Sequence, residues 1–162
     1  MPRSASSIAA KTAIIELHSR LSDIRRLRFQ ATPGDGSQTG WAGHGEAEVA
    51  VSLDADGLRF HESGEFTPAA TGAAVAFRNV YRWVTQGDRI ALWHERFGAK
   101  DAVWLFDLVA AGPGELVAAE RHVCGDDRYD ARLRLVEHGF DLSWSITGPR
   151  KDERLASQYR FY

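Results

Sequence analysis

The side chains best suited to chemistry recur at alternate positions rather than in a compact motif. His94 and Arg96 follow Ile90 and Leu92 in phase. His122 and Cys124 share a face with Leu116 and Ala118. Tyr129 opens an apolar face, Tyr81 and Trp83 close an earlier one, and Trp144 sits on another. If those faces point inward, the interior is aromatic with a few polar groups, the usual make-up of a small-molecule site. The imidazoles are natural general acids or bases near neutral pH, and Tyr129 and Arg96 could assist them. The plainer reading stands beside each. A lone His in phase with apolar residues is more often a hydrogen-bonded core residue. Cys124 reads first as a small buried hydrophobe, and Trp83, Trp104 and Trp144 as wall packing.

Other patterns carry less. His122-x-Cys124 puts two ligand types on one strand face, but a single Cys with no second pair makes a weak metal signal, and no metal site is expected. No helix follows Gly112-Pro113-Gly114, so it is no phosphate loop. No G-x-S-x-G nucleophile turn exists. Lys151-Asp152 follows a Gly-Pro turn, and reads as a solvated pair or as a rim contact to a ligand anion.

The elements that must position these residues read as strands. Apolar and polar residues alternate through 47–53, 58–61, 75–84, 90–97, 103–109, 116–124, 129–135, 140–147 and 155–161, separated by Gly, Asp and Pro turns. Segment 4–17 is Ala-rich with Ile8, Ile14, Ile15 and Leu17, and predicts a helix lidding the sheet or packed outside it. Segment 21–31 is ambiguous: Leu17, Leu21, Ile24 and Leu27 keep helical spacing, whereas Leu27 and Phe29 alternate with Arg26, Arg28 and Gln30. About ten short strands joined by tight turns must close or form two layers, because an open sheet leaves unpaired edges. The expectation is a mainly β, single-domain chain over 1–162. An N-terminal helix precedes one up-and-down antiparallel β-barrel from about residue 21, wide enough to hold a small ligand.

Composition narrows the partners. The 162 residues suit one domain with a sizeable core, and the net charge of −2 comes from interspersed charges. Without a basic block, nucleic acid is not expected as a partner. No apolar run reaches the roughly 20 residues a membrane helix needs, no secretory signal is read, and one Cys makes an intrachain disulfide impossible, so the expected home is cytoplasmic.

The segments L-R-F-H-E-S-G-E-F at 58–66, F-R-N-V-Y-R-W at 77–83, H-E-R-F-G at 94–98, W-L-F-D-L at 104–108, H-V-C-G-D-D-R-Y at 122–129 and W-S-I-T-G-P-R-K-D at 144–152 together resemble an uncharacterised, mainly bacterial family, domain of unknown function 6314. The resemblance runs from about Leu17 to the C-terminus. The family's Gly and Trp ahead of an Arg are replaced by Ser19 and Leu21 before Arg25. It implies a barrel similar to the lipocalin and fatty-acid-binding (calycin) group and favours strand over helix for 21–31. It implies no activity, cofactor or catalytic residue.

Four functions follow as expectations. The first is binding of a small, largely apolar and optionally anionic ligand, oriented by His94, Arg96, His122 and Tyr129 and buried by Tyr81, Trp83 and Trp144. The second is a lyase, isomerase or hydrolase using His94 or His122 with Tyr129 and Arg96. The third, by fold analogy alone, is haem binding through an inward His. The fourth is an interaction domain, with Trp93 and Phe97 as a homodimer patch.

Overall fold

The computed structural model describes residues 5–37, 42–120, 122–124 and 126–162; for 5–11 and 122–124 only the backbone is described. A helix, α1, runs Ala5–Leu21. Eleven strand segments follow: β1 (Arg26–Pro33), β2 (Gly43–Asp54), β3 (Gly57–Pro68), β4 (Val75–Gln86), β5 (Arg89–His94), β6 (Val103–Gly112), β7 (Glu115–Ala118), β8 (His122–Cys124), β9 (Asp127–Val136), β10 (Gly139–Thr147) and β11 (Asp152–Arg160). The ambiguous segment therefore divides. Helical spacing holds as far as Leu21, four residues beyond the expected end, and two-residue alternation takes over at Arg26.

Sequential strands pair antiparallel from β1 to β7, β9 pairs with both β7 and β10, and β11 lies between β10 and β1. The sheet thus closes on itself as a ten-strand barrel. One wall position is filled in two pieces. The segment 116–124, expected as one strand, is β7 pairing Glu115–Val117 with Arg132–Arg134, then β8 pairing His122–Cys124 with Asp127–Tyr129 on the same edge of β9. Between them, on the edge away from β10, the Ala131 amide donates to the Asp130 carboxylate at 2.9 Å, and among the described residues neither β7 nor β8 pairs with Asp130 or Ala131.

Alternation places Leu27 and Phe29 of β1, Ala47 and Val49 of β2, and Leu58 and Phe60 of β3 inside. Helix α1 crosses one end. Its Ala13, Ile14, Leu17 and Leu21 join the same apolar core as the barrel interior. Arg20 donates to the Val136 and Gly139 carbonyls at the β9–β10 hairpin, and His18 bonds Thr85 beside the β4–β5 turn at 2.8 Å. Beneath the helix, Phe60, Trp83, Phe106, Phe140, Leu116 and Leu133 are each at most 2% exposed, so this half is solidly filled. Among the described residues no helix is long and apolar enough to cross a membrane.

Candidate functional site

The opposite half is not filled. A cavity of about 680 Å³ opens between the far ends of β1, β3, β4, β5, β10 and β11. Its wall is aromatic: Phe29 stacks on Phe66 (centroids 6.0 Å) and meets Phe77 edge-on (5.4 Å), with Trp144 and Ile146 on the facing strands. Glycine makes room for this wall. A Cβ on Gly45 would lie 2.2 Å from the Phe29 ring. Arg78, Arg96, Lys151 and Arg154 line the rim against Glu153, so the mouth carries excess positive charge. Lys151 Nζ lies 3.2 Å from the Asp127 carboxylate. The pair read at Lys151-Asp152 is thus split: Lys151 lines the rim, while the Asp152 carboxylate accepts from the Gly36 amide at 3.4 Å.

The polar groups gather lower down. His94 pairs with Tyr81 across β4 and β5, and their rings stack at 4.7 Å. His94 Nε2 lies 3.3 Å from Asn79 Oδ1. Burial, and then the neighbouring Arg96 charge, holds the imidazole below its ordinary pKa, so it is neutral at neutral pH. Below Asn79 and Tyr81 the cavity narrows into a recess of about 40 Å³, with Glu62, Ser157 and Tyr159 in its lining. Phe29, Asn79, Tyr81, Trp144 and Leu155 line both spaces and join them. Glu62 is 2% exposed, and Tyr159 donates its hydroxyl to Glu62 Oε2 at 2.7 Å. Burial pushes the Glu62 carboxyl up to about 8, against the smaller lowering effect of the Tyr159 hydrogen bond. Burial also raises the Tyr81 and Tyr159 phenols, so both stay protonated donors.

The sequence candidates are distributed unevenly. His94, Arg96, Tyr81 and Trp144 line the cavity, with Arg96 exposed at the rim. Trp83 lies beneath it, packed on Phe60 and Phe140 in the filled half. Tyr129 is buried in the core on β9, outside the cavity lining. The His122 side chain lies outside the described residues; its backbone pairs with Tyr129. Trp93 is covered by the Arg82 guanidinium at 5.3 Å, while Phe97 is exposed under Arg96. Among the described residues no group of three or more His, Cys, Asp or Glu side chains is placed to hold a metal. Glu62, Asn79, Ser157 and Tyr159 are functional candidates that sequence reasoning missed. For Glu62 a signal existed: it continues the inward phase of Leu58 and Phe60.

The profile of a family of unknown function, DUF6314, matches residues 25–161, which is nearly the whole barrel. The chain belongs to that family. The match begins just ahead of β1, so α1 lies outside the matched part of this DUF6314 member. No curated protein and no solved structure matches the chain.

Proposed function

We propose that this DUF6314 member is a calycin-like binding barrel that takes a small, largely apolar ligand into its open half. One observation carries the reading: the interior is filled at the helix-capped end and hollow at the other. The hollow falls in the few-hundred to 1,000 Å³ range of small-molecule sites and has the same character, mostly aromatic with a few converging polar groups. Apolar burial on Phe29, Phe66, Phe77 and Trp144 supplies affinity. The arginines of the rim favour a ligand whose outer end is anionic.

The test uses 8-anilinonaphthalene-1-sulfonate, an aromatic body with one anionic group. Fluorescence enhancement that saturates at one probe per chain is expected under native conditions. Ala31 lines the hollow, and Ala31→Trp should fill it and abolish the enhancement while the urea unfolding transition stays cooperative. Undiminished enhancement in Ala31→Trp would remove the cavity as the binding site.

A further inference from the structure

We infer that the recess beneath the cavity is a receptor for a neutral carbonyl oxygen. In it Glu62, as an un-ionised acid steadied by Tyr159, donates a hydrogen bond to a ketone or aldehyde whose apolar body fills the hollow above. This inference rests on the binding reading and names the chemical class of the ligand.

The geometry begins on β3. Glu62 lies between Val49 of β2 and Asn79 of β4 in register, and neither neighbour can neutralise a carboxylate. The other elements around the recess contribute Leu27, Leu92, Leu142 and Ser157, also without charge. The titratable groups facing Glu62 are Tyr81 and Tyr159; both are neutral phenols, and the Tyr159 hydrogen bond offsets only part of the burial cost of a negative charge there. His94 is one step farther up, stacked on Tyr81 and neutral. The cations that line the hollow are all at its rim. A buried carboxylate with no cation is several kcal/mol unfavourable, and such a group keeps its proton instead.

The direction of one hydrogen bond then fixes the rest. Tyr159 donates to Oε2, so Oε2 is the acceptor oxygen of the acid. Oε1 has no protein hydrogen-bond partner among the described residues and carries the remaining O–H donor. The Tyr81 hydroxyl, which likewise has no partner among the described residues, lies in the same lining and supplies a second donor. Two donors with no cation beside them suit an acceptor that brings no charge. A carboxylate or phosphate would bring an anion to a buried acid, so an anionic end belongs at the arginine rim. The recess, at about 40 Å³, has room for one functional group and no more.

The probe is 6-propionyl-2-(dimethylamino)naphthalene, whose emission shifts red when its carbonyl accepts a hydrogen bond, compared with the 6-propyl analogue that lacks the carbonyl. Full-length protein at about pH 6.5 should bind the ketone with red-shifted emission and about tenfold more tightly than the analogue. Glu62→Leu should erase that preference while still binding the analogue. In the wild type the preference should fall as pH rises through about 8 and Glu62 ionises. Glu62→Gln, whose amide donates without titrating, should keep the preference at about pH 9.5. Equal affinity for ketone and analogue in the wild type, or an unchanged preference in Glu62→Leu, would overturn the inference and leave the cavity reading standing. Failure of both naphthalenes and of the anilinonaphthalene sulfonate to bind would overturn the cavity reading and the inference with it.

Discussion

The two halves of the barrel are built by the same strands and differ in what those strands send inward. At the helix-capped end β3, β4, β6 and β10 contribute Phe60, Trp83, Phe106 and Phe140, and α1 closes the hole with Leu17 and Leu21. At the other end the same β3 and β4 contribute Glu62, Phe77 and Asn79, β2 contributes Gly45, and among the described residues no α-helix arrives. Close packing and hollowness are therefore a choice of side chain along one ribbon, not a property of the ribbon. One half is arranged for stability. The other gives up dispersion contacts and buries a carboxyl group, costs that a folding scaffold alone would avoid.

The contrast can be broken most forcefully in the filled half. Trp83→Ala should destabilise by about 3–5 kcal/mol in urea unfolding, because the Phe60 and Phe140 rings cannot collapse into the space. Phe77→Ala, in the hollow half where the ring is only half-buried, should cost well under about half as much. Equal costs would mean that the two halves are equally packed.

Glu62 gives the next effect. Its native pKa is raised from 4.5 to about 8, so its stabilising contribution is fully present below about 4.5 and is lost as pH rises through about 8. Wild-type stability should accordingly decline relative to Glu62→Gln between about pH 5 and 8, by an amount on the order of a few kcal/mol. Denaturation series at several pH values check this, and parallel pH profiles would show that Glu62 is already ionised in the fold.

A smaller change sharpens the comparison from the hollow side. Gly45→Val should push the Phe29 ring into the cavity and weaken anilinonaphthalene sulfonate binding about tenfold, roughly 1.4 kcal/mol. The smallest effect expected is that of Arg96→Ala. This exposed rim cation should change sulfonate affinity only two- to fivefold, and added salt should shrink the difference. A salt-insensitive loss at Arg96 would mean that it contacts the ligand below the rim.

Much of the architecture was legible in alternation. Turn residues at regular intervals give the strands, and the strand count forces closure. The site was legible only in part, because alternation says which face a residue occupies and not its depth along the barrel axis. Trp83 and Tyr81 are two residues apart on one face, yet Tyr81 lines the hollow and Trp83 lies in the packed half. That level is set by register, where Tyr81 falls opposite Phe60 and His94. Tyr129 is inward and buried in the core, outside the cavity lining, although its register partner Ile146 lines the hollow. Glu62 escaped because a carboxylate in an apolar phase looks like an interruption of the pattern. Nothing local in the chain announces that Tyr159, 97 residues away, will meet it. The separation of β7 from β8 was equally hidden, since Ala118 and Ala119 read through as strand.

That separation gives the barrel a place to yield. Prising β2 from β3 means breaking a continuous row of amide–carbonyl bonds at once. At Asp130 and Ala131 neither β7 nor β8 is paired among the described residues, and a side-chain carboxylate holds the Ala131 amide. The circumference can therefore stretch here for less free energy than between β2 and β3. Deuterium uptake should accordingly be faster at the Ala131 amide than at its counterparts on β3, which are paired on both flanks.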